Sequence, residues 1–181
     1  FSSFGGFNCI RFKSDVDFAV ESLINDKKKL TLLNNSSILI WTGIIREGQV
    51  LEKEKIKKIK NKSVTENLKN IQSITEKAYE EFSKSSWDLN KIGKLMNEYW
   101  SQKKQLSKGI TNKKIDKICK IANTNGAYGV KLLGAGGGGF IYILCSPKKK
   151  RLLLKKLSNF GNVNFQFENS GSSIIYNKQL I

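Results

Sequence analysis

The sequence predicts an α+β protein whose main domain runs strand, helices, strand, strand, helix, strand, a split β-α-β-β-α-β order with an enlarged first crossover. Three observations predict it. Apolar runs of strand length give way to stretches where apolar residues recur every three or four positions, and two late strand-like runs are joined by the glycine run Gly134 to Gly139. A length of 181 residues, 39% hydrophobic with one proline, suffices for one domain with a core and a piece of another.

FNCIRF (7–12) and VDFAVESL (16–23) alternate apolar and polar residues around a polar KSD turn, the pattern of a β-hairpin. The lysine- and asparagine-rich stretch from Asn25 to Asn35 reads as a linker, placing residues 1–35 in one domain and 36–181 in another. SILIWTG (37–43) is a nearly continuous β-branched and aromatic run, expected as a strand buried on both faces. Ser63-Val64-Thr65-Glu66 has the capping-box form, and Val64, Leu68, Ile71, Ile74, Ala78 and Phe82 then recur at helical spacing up to about Ser83. Asp88 caps the next helix, which carries Leu89, Ile92, Leu95, Met96, Tyr99 and Trp100 on one face and ends in a loop near Lys108 and Gly109. A third helix, capped by Thr111 or Asn112, turns Ile115, Ile118, Cys119 and Ala122 inward and stops at Asn125-Gly126. Ala127 to Leu133 and Phe140 to Cys145 are strand-like. Ser146-Pro147 opens a helix with Leu152, Leu153, Leu154 and Leu157 that is expected to end at Gly161-Asn162. Val163 to Glu168 alternates as a strand, and Ile174 to Tyr176 is a short final one. From Ser37 onward this is the order of ferredoxin-like domains.

The formal net charge is +17, almost all of it from lysine, since the arginines are Arg11, Arg46 and Arg151. Base and phosphate recognition favours the guanidinium fork, so the charge alone points only weakly to nucleic acid. The runs KEKIKKIKNK (53–62) and KKKRLLLKK (148–156) read as solvated helix faces or loops. The chain has no histidine, and Cys9, Cys119 and Cys145 form no CxxC pair, which excludes a zinc site or a histidine triad within it. These cysteines are expected as buried thiols in a reducing compartment. With no apolar stretch of membrane-spanning length and no signal peptide, a cytoplasmic protein without membrane contact is expected. The chain starts at Phe1 and its one methionine is Met96, so it is expected to be a fragment or processed piece, with part of any active site upstream.

So many glycines between Gly134 and Gly139 suit a place where backbone N–H groups must turn toward one point, as in a phosphate nest; the alternative is a flexible hairpin tip. The run satisfies GxGxxG, but a dinucleotide loop opens a helix and FIYILC is a strand. A Walker A loop needs Gly-Lys followed by Ser or Thr, and here the run ends Gly139-Phe140. An RNA-recognition sheet has this strand order and aromatics such as Phe140 and Tyr142, but its first basic and aromatic motif positions are Gly136 and Gly138 here. A basic ferredoxin-like RNA-binding module is therefore the second reading.

GAYGVKLLGAGGGGFIYIL (126–144) resembles the third signature of the GHMP kinases, the superfamily of galactokinase, homoserine kinase, mevalonate kinase and phosphomevalonate kinase. FGGFNCIRF (4–12), WTGIIR (41–46) and EYWSQKKQLSKGITNKKIDKI (98–118) resemble the heptose 7-phosphate kinases within it. The resemblance implies the C-terminal part of an ATP-dependent sugar kinase acting on C1 of D-glycero-D-manno-heptose 7-phosphate, in the making of nucleotide-activated heptose for surface polysaccharide. A related kinase of another small sugar or alcohol phosphate is the neighbouring possibility. It also implies that residues 1–35 are the end of an N-terminal kinase domain. The serine-glycine loop for ATP and the catalytic aspartate, together with most contacts to ATP and Mg²⁺, would then lie upstream, with no catalytic or metal residue in this chain. The expected partners are ATP, a sugar phosphate and the missing N-terminal half, with a homodimer possible.

For the site itself, Gly134, Ala135, Gly136, Gly137, Gly138 and Gly139 are expected as the phosphate or substrate loop. Lys131, on the strand entering it, is a point charge for a phosphate or a surface lysine. Arg46, following Thr42 and Gly43 at the end of a buried strand, offers a fork suited to the 7-phosphate. Lys103 and Lys104 are candidates for the sugar phosphate, one of them solvated, and Asp116 either orients a substrate hydroxyl or pairs with Lys113 or Lys120. Trp41, Trp87 and Trp100 are expected in the core or an interface.

Overall fold

The computed structural model describes residues 4–14, 16–24, 26–45, 53, 56–59, 62 and 64–173. The chain divides into two compact units, Phe1–Asn34 with Gln166–Ile181, and Asn35–Phe165.

In the first unit the alternating segments form the expected hairpin, β1 (Asn8–Phe12) and β2 (Phe18–Ser22), with Asn8 opposite Ser22 and Phe12 opposite Phe18. Its turn is closed by Lys13 N–H donating to Asp17 O at 2.9 Å and Asp17 N–H donating to the Ser14 hydroxyl at 3.1 Å. The later chain returns here: Gly6 N–H donates to Glu168 O at 2.9 Å, and a Cβ on Gly5 would lie 2.4 Å from Gly171 N. Residues from Gln166 thus lie in the first unit, whereas reading Asn25 to Asn35 as a linker places the whole of 36–181 in one domain. The expected linker is also corrected. Lys27–Ser36 is a helix, α1, begun by Asp26, whose carboxylate accepts from Lys28 N–H at 2.8 Å. Its Leu30 and Leu33, three residues apart, supply an inward stripe that the surrounding lysines and asparagines obscure. Cys9 is only half-buried, because β1 belongs to this two-stranded sheet.

The second unit is a four-stranded antiparallel sheet with helices packed on it. Its strands β3 (Ser37–Trp41), β4 (Ala127–Leu132), β5 (Phe140–Cys145) and β6 (Gly161–Val163) lie in the order β4-β5-β3-β6. This is the split β-α-β-β-α-β topology. The enlarged crossover holds α2 (Thr65–Phe82), α3 (Leu89–Gln105) and α4 (Lys113–Thr124), and α5 (Pro147–Lys156) follows β5. Alternation decides which face is covered. Ile38 and Ile40, opposite Ile143 and Ile141, join Val130 and Leu132 in one core with Trp100, Ile115, Ile118, Ala122, Leu153 and Leu157. Burying each such aliphatic side chain favours the fold by roughly 1.5–3 kcal/mol. The opposite face of β3 is less covered, so Leu39 and Trp41 are half-buried and the expectation of a strand buried on both faces holds only in part.

Local signals set most helix ends. The carboxylate of Asp88 accepts from Asn90 and Lys91 N–H, and the side-chain oxygen of Asn112 accepts from Lys114 and Ile115 N–H. Ser63 lies outside the described residues, and the residue capping α2 is Val64, which has no side-chain acceptor. Ser146 precedes Pro147 as expected but makes no capping bond. α5 stops at Lys156, where the buried Leu157 anchors its end. Gly161 therefore opens β6 instead of ending the helix, and Trp41 packs over it: a Cβ there would lie 3.0 Å from Trp41 Cβ. The last strand is Gly161–Val163, not Val163 to Glu168, and Ile174 to Tyr176 lie outside the described residues.

Two features of α3 escape sequence reasoning. Gly93 meets Gly129 backbone to backbone, so closely that a Cβ on Gly129 would lie 2.4 Å from Gly93 O. One turn on, Asn97 bonds to β4 as a strand would, accepting from Val130 N–H at 2.9 Å and donating to Tyr128 O at 3.2 Å. At the α2–α3 turn, buried Glu81 holds Lys84 at 2.6 Å and Lys91 at 3.0 Å, and accepts from Asp88 N–H at 3.2 Å. Among the described residues no helix is long and apolar enough to cross a membrane.

Candidate functional site

Three loops meet at one end of the four-stranded sheet: residues 42–45 after β3, residues 106–112 between α3 and α4, and the glycine turn 133–139. The turn needs glycine for two separate reasons. Gly134, Gly136, Gly137 and Gly139 adopt left-handed φ values of 74°, 119°, 78° and 88°. Gly138 needs space instead, since a Cβ there would lie 2.5 Å from Ile44 O.

The turn is pinned by its own backbone. Gly137 N–H donates to Ile110 O at 2.8 Å and Gly139 N–H to Ile44 O at 3.0 Å, while Thr42 N–H donates to Gly139 O at 2.9 Å. Asn112 Nδ2 donates to Gly137 O at 3.2 Å, tying the start of α4 to the same turn. The expected nest of N–H groups from Gly134 to Gly139 is thereby narrowed, because those of Gly137 and Gly139 hold the turn in place. The N–H groups of Gly134, Ala135, Gly136 and Gly138 make no hydrogen bond among the described residues. They remain the donors that an anion can use.

Lysines flank the turn. Buried Lys103 donates from Nζ to Gly134 O at 2.6 Å. Lys131 Nζ lies 4.2 Å from the centroid of the Tyr99 ring, and Lys103 Nζ lies 5.8 Å from the same centroid. Burial holds the Lys131 ammonium below the ordinary lysine pKa and pushes the Tyr99 phenol above its own. Among the described residues Lys131 has no carboxylate partner. Tyr99, expected only as a core residue, is the ring both cations share; its i, i+4 spacing to Lys103 was the available signal.

The other candidates fall elsewhere. The Thr42 hydroxyl donates to Gly139 O at 2.8 Å and accepts from Ile44 N–H at 3.3 Å, so it holds the turn. Gly43 is left-handed at φ 69°, and Lys114 Nζ lies 2.9 Å from where its Cβ would be. Lys104 projects toward the Trp100 ring, 5.8 Å from its centroid, apart from the Lys103 pair. Asp116 accepts from the Thr111 hydroxyl at 2.7 Å instead of pairing with Lys113 or Lys120. Arg46 lies outside the described residues. Tyr142, a candidate for base stacking, has its hydroxyl 2.6 Å from Ser37 Oγ, and burial pushes its pKa up to about 12. Among the described residues no three His, Cys, Asp or Glu side chains lie together as metal ligands.

A family model of the GHMP kinase C-terminal domain matches residues 78–163, spanning α3, α4, the glycine turn and β6. Residues 78–163 belong to the GHMP kinase C-terminal family. The D-glycero-alpha-D-manno-heptose 7-phosphate kinase of Campylobacter jejuni is 30% identical over 156 residues, 86% of this chain and 45% of that protein. The mevalonate kinase of Methanocaldococcus jannaschii is 43% identical over 67 residues, 37% of this chain and 20% of that protein. In fold, the chain is similar to L. major mevalonate kinase, with a TM-score of 0.72 at 20% identity, over 94% of this chain and 51% of that one. This GHMP-type chain thus spans about half the length of its relatives or less, and those relatives are kinases.

Proposed function

We propose that the chain is the C-terminal part of an ATP-dependent sugar kinase that phosphorylates C1 of D-glycero-D-manno-heptose 7-phosphate. The observation that carries this reading is the pinned glycine turn with four free N–H donors, at the end of the strand that carries Lys131, a half-buried cation lacking a carboxylate partner among the described residues. Phosphoryl transfer calls for fixed donors and cations around the phosphates more than for covalent chemistry, and this arrangement supplies both. Heptose in preference to mevalonate is supported by the length of the similarity, 156 residues against 67.

ATP supplies the phosphoryl group, and Mg²⁺ offsets the charge of its phosphates. In this proposal both are held mainly by the N-terminal half, of which residues 1–35 are the end. This chain's own contribution is to bind and orient. The N–H groups of Gly134, Ala135, Gly136 and Gly138 face phosphate oxygens, Lys131 adds charge, and Lys103 keeps the turn in register through Gly134 O. By this reading the isolated chain does not turn over ATP.

Amide NMR of the 181-residue protein tests the proposal. Heptose 7-phosphate is expected to shift the Gly134, Ala135, Gly136 and Gly138 signals and to raise the pKa of Lys131, with unphosphorylated heptose and mevalonate doing neither. Equal response to mevalonate would overturn the sugar assignment. ATP turnover by the chain alone would overturn the claim that half the site lies elsewhere.

A further inference from the structure

The charge of this chain is concentrated in one segment. Between Ser101 and Gln166 there are fourteen lysines and arginines and a single acid, Asp116, whereas outside it eighteen cations face fourteen acids. Thirteen of the seventeen net charges thus come from about a third of the chain. A general preference for lysine does not explain this, because elsewhere the lysines are matched by acids.

The fold gathers these charges. α4 and α5 pack against each other and send Ile115, Ile118, Ala122, Leu153 and Leu157 into the shared core. Their outer faces carry Lys113, Lys117 and Lys120 on one helix and Lys148, Arg151 and Lys155 on the other, all exposed. Each trio is spaced at three or four residues, so successive cations stand about one turn, ~5 Å, apart along the axis. None of the six has a carboxylate partner among the described residues, and Asp116 is taken by Thr111.

What such a face can bind follows from what it lacks. Neither helix contains an aromatic residue on which an unpaired base could stack. The apolar residues of both lie in or against the core except Leu152, and one exposed leucine is not the apolar stripe that a lipid surface needs. Five lysines and one arginine offer charge without the base-reading fork of several arginines, enough to neutralise the regular phosphates of a duplex, where such contacts fix position without reading sequence.

We propose that the paired outer faces of α4 and α5 bind double-stranded nucleic acid through its phosphates, without sequence preference. This does not rest on the kinase reading. Fluorescence anisotropy of the full chain with a short labelled duplex, between about 50 and 200 mM salt, should show affinity falling steeply, about 10³-fold if some six phosphates are contacted. The K117Q/R151Q/K155Q variant should reduce the salt slope by about 3, whereas K69Q/K77Q/K94Q, an equal charge change on α2 and α3, should leave it unchanged. All these side chains are exposed. If the triple variant melts at a lower temperature, Lys117→Gln alone should still lower the slope by about 1. Equal losses in both triple variants, no duplex binding, or tighter binding to phosphatidylglycerol vesicles than to duplex would each overturn the proposal.

Discussion

At Gly134 and Gly138 the same residue type answers two different demands. Gly134 is left-handed at φ 74° with nothing within 4 Å of its missing Cβ, so an alanine there meets only torsional strain, about 1 kcal/mol. Gly138→Ala instead drives a methyl group against Ile44 O, and is expected to cost about 2 kcal/mol or more and to break the Gly139–Ile44 bond. Urea unfolding of the two variants should rank them in that order. Glu81 sets a pH limit. Lys84 and Lys91 hydrogen bonds, against an opposing effect of burial, lower its carboxyl to about 2. Because the folded pKa lies below the ordinary value of 4.5, this contribution is complete above about pH 4.5 and is lost as pH falls toward 2. Glu81→Gln should cost about 1–2 kcal/mol at neutral pH and flatten the acid limb of stability, measured by urea midpoints from pH 7 down to pH 3.

Among elements, α3 is the one on which the glycine turn most depends. Gly93→Ala would set a methyl group 2.3 Å from the Tyr128 carbonyl carbon and push the helix off β4. A loss of about 2–4 kcal/mol is expected by thermal melting, with the Gly134 to Gly139 amide signals moving because Lys103 rides on the same helix. How legible each element was in the sequence depended on where its determinants lie. α4 was readable because Asn112, the stop at Gly126 and the inward Ile115, Ile118, Cys119 and Ala122 are all local. α1 was not, since lysines and asparagines masked a two-leucine stripe. The site divided the same way. Repeated glycine announced the turn, but which N–H groups remain free depends on Ile44 and Ile110, one of them more than ninety residues away in the chain. The role of Tyr99 likewise appears only once β4 lies beside α3.

Over the whole molecule, stability should be uneven. β3 and β5 lie inside the four-stranded sheet with fully buried isoleucines, whereas β1 and β2 form a hairpin carrying exposed Phe12 and Phe18. Hydrogen exchange should therefore be slowest at Ile38, Ile40, Ile141 and Ile143 and faster by orders of magnitude in β1 and β2. Protection of β1 equal to that of β3 would refute this. The Asn97 side chain gives the sheet a further property. A carboxamide presents an N–H and a C=O side by side like a peptide group, and at β4 it takes the place that a residue of a fifth strand would fill. The sheet is thus closed on that side by α3, with one amide standing in for the missing ladder bonds. Asn97→Leu would leave Val130 N–H and Tyr128 O unpaired beneath α3, so a loss of about 1–3 kcal/mol is expected by thermal melting, with the sheet still closed on that side by the helix.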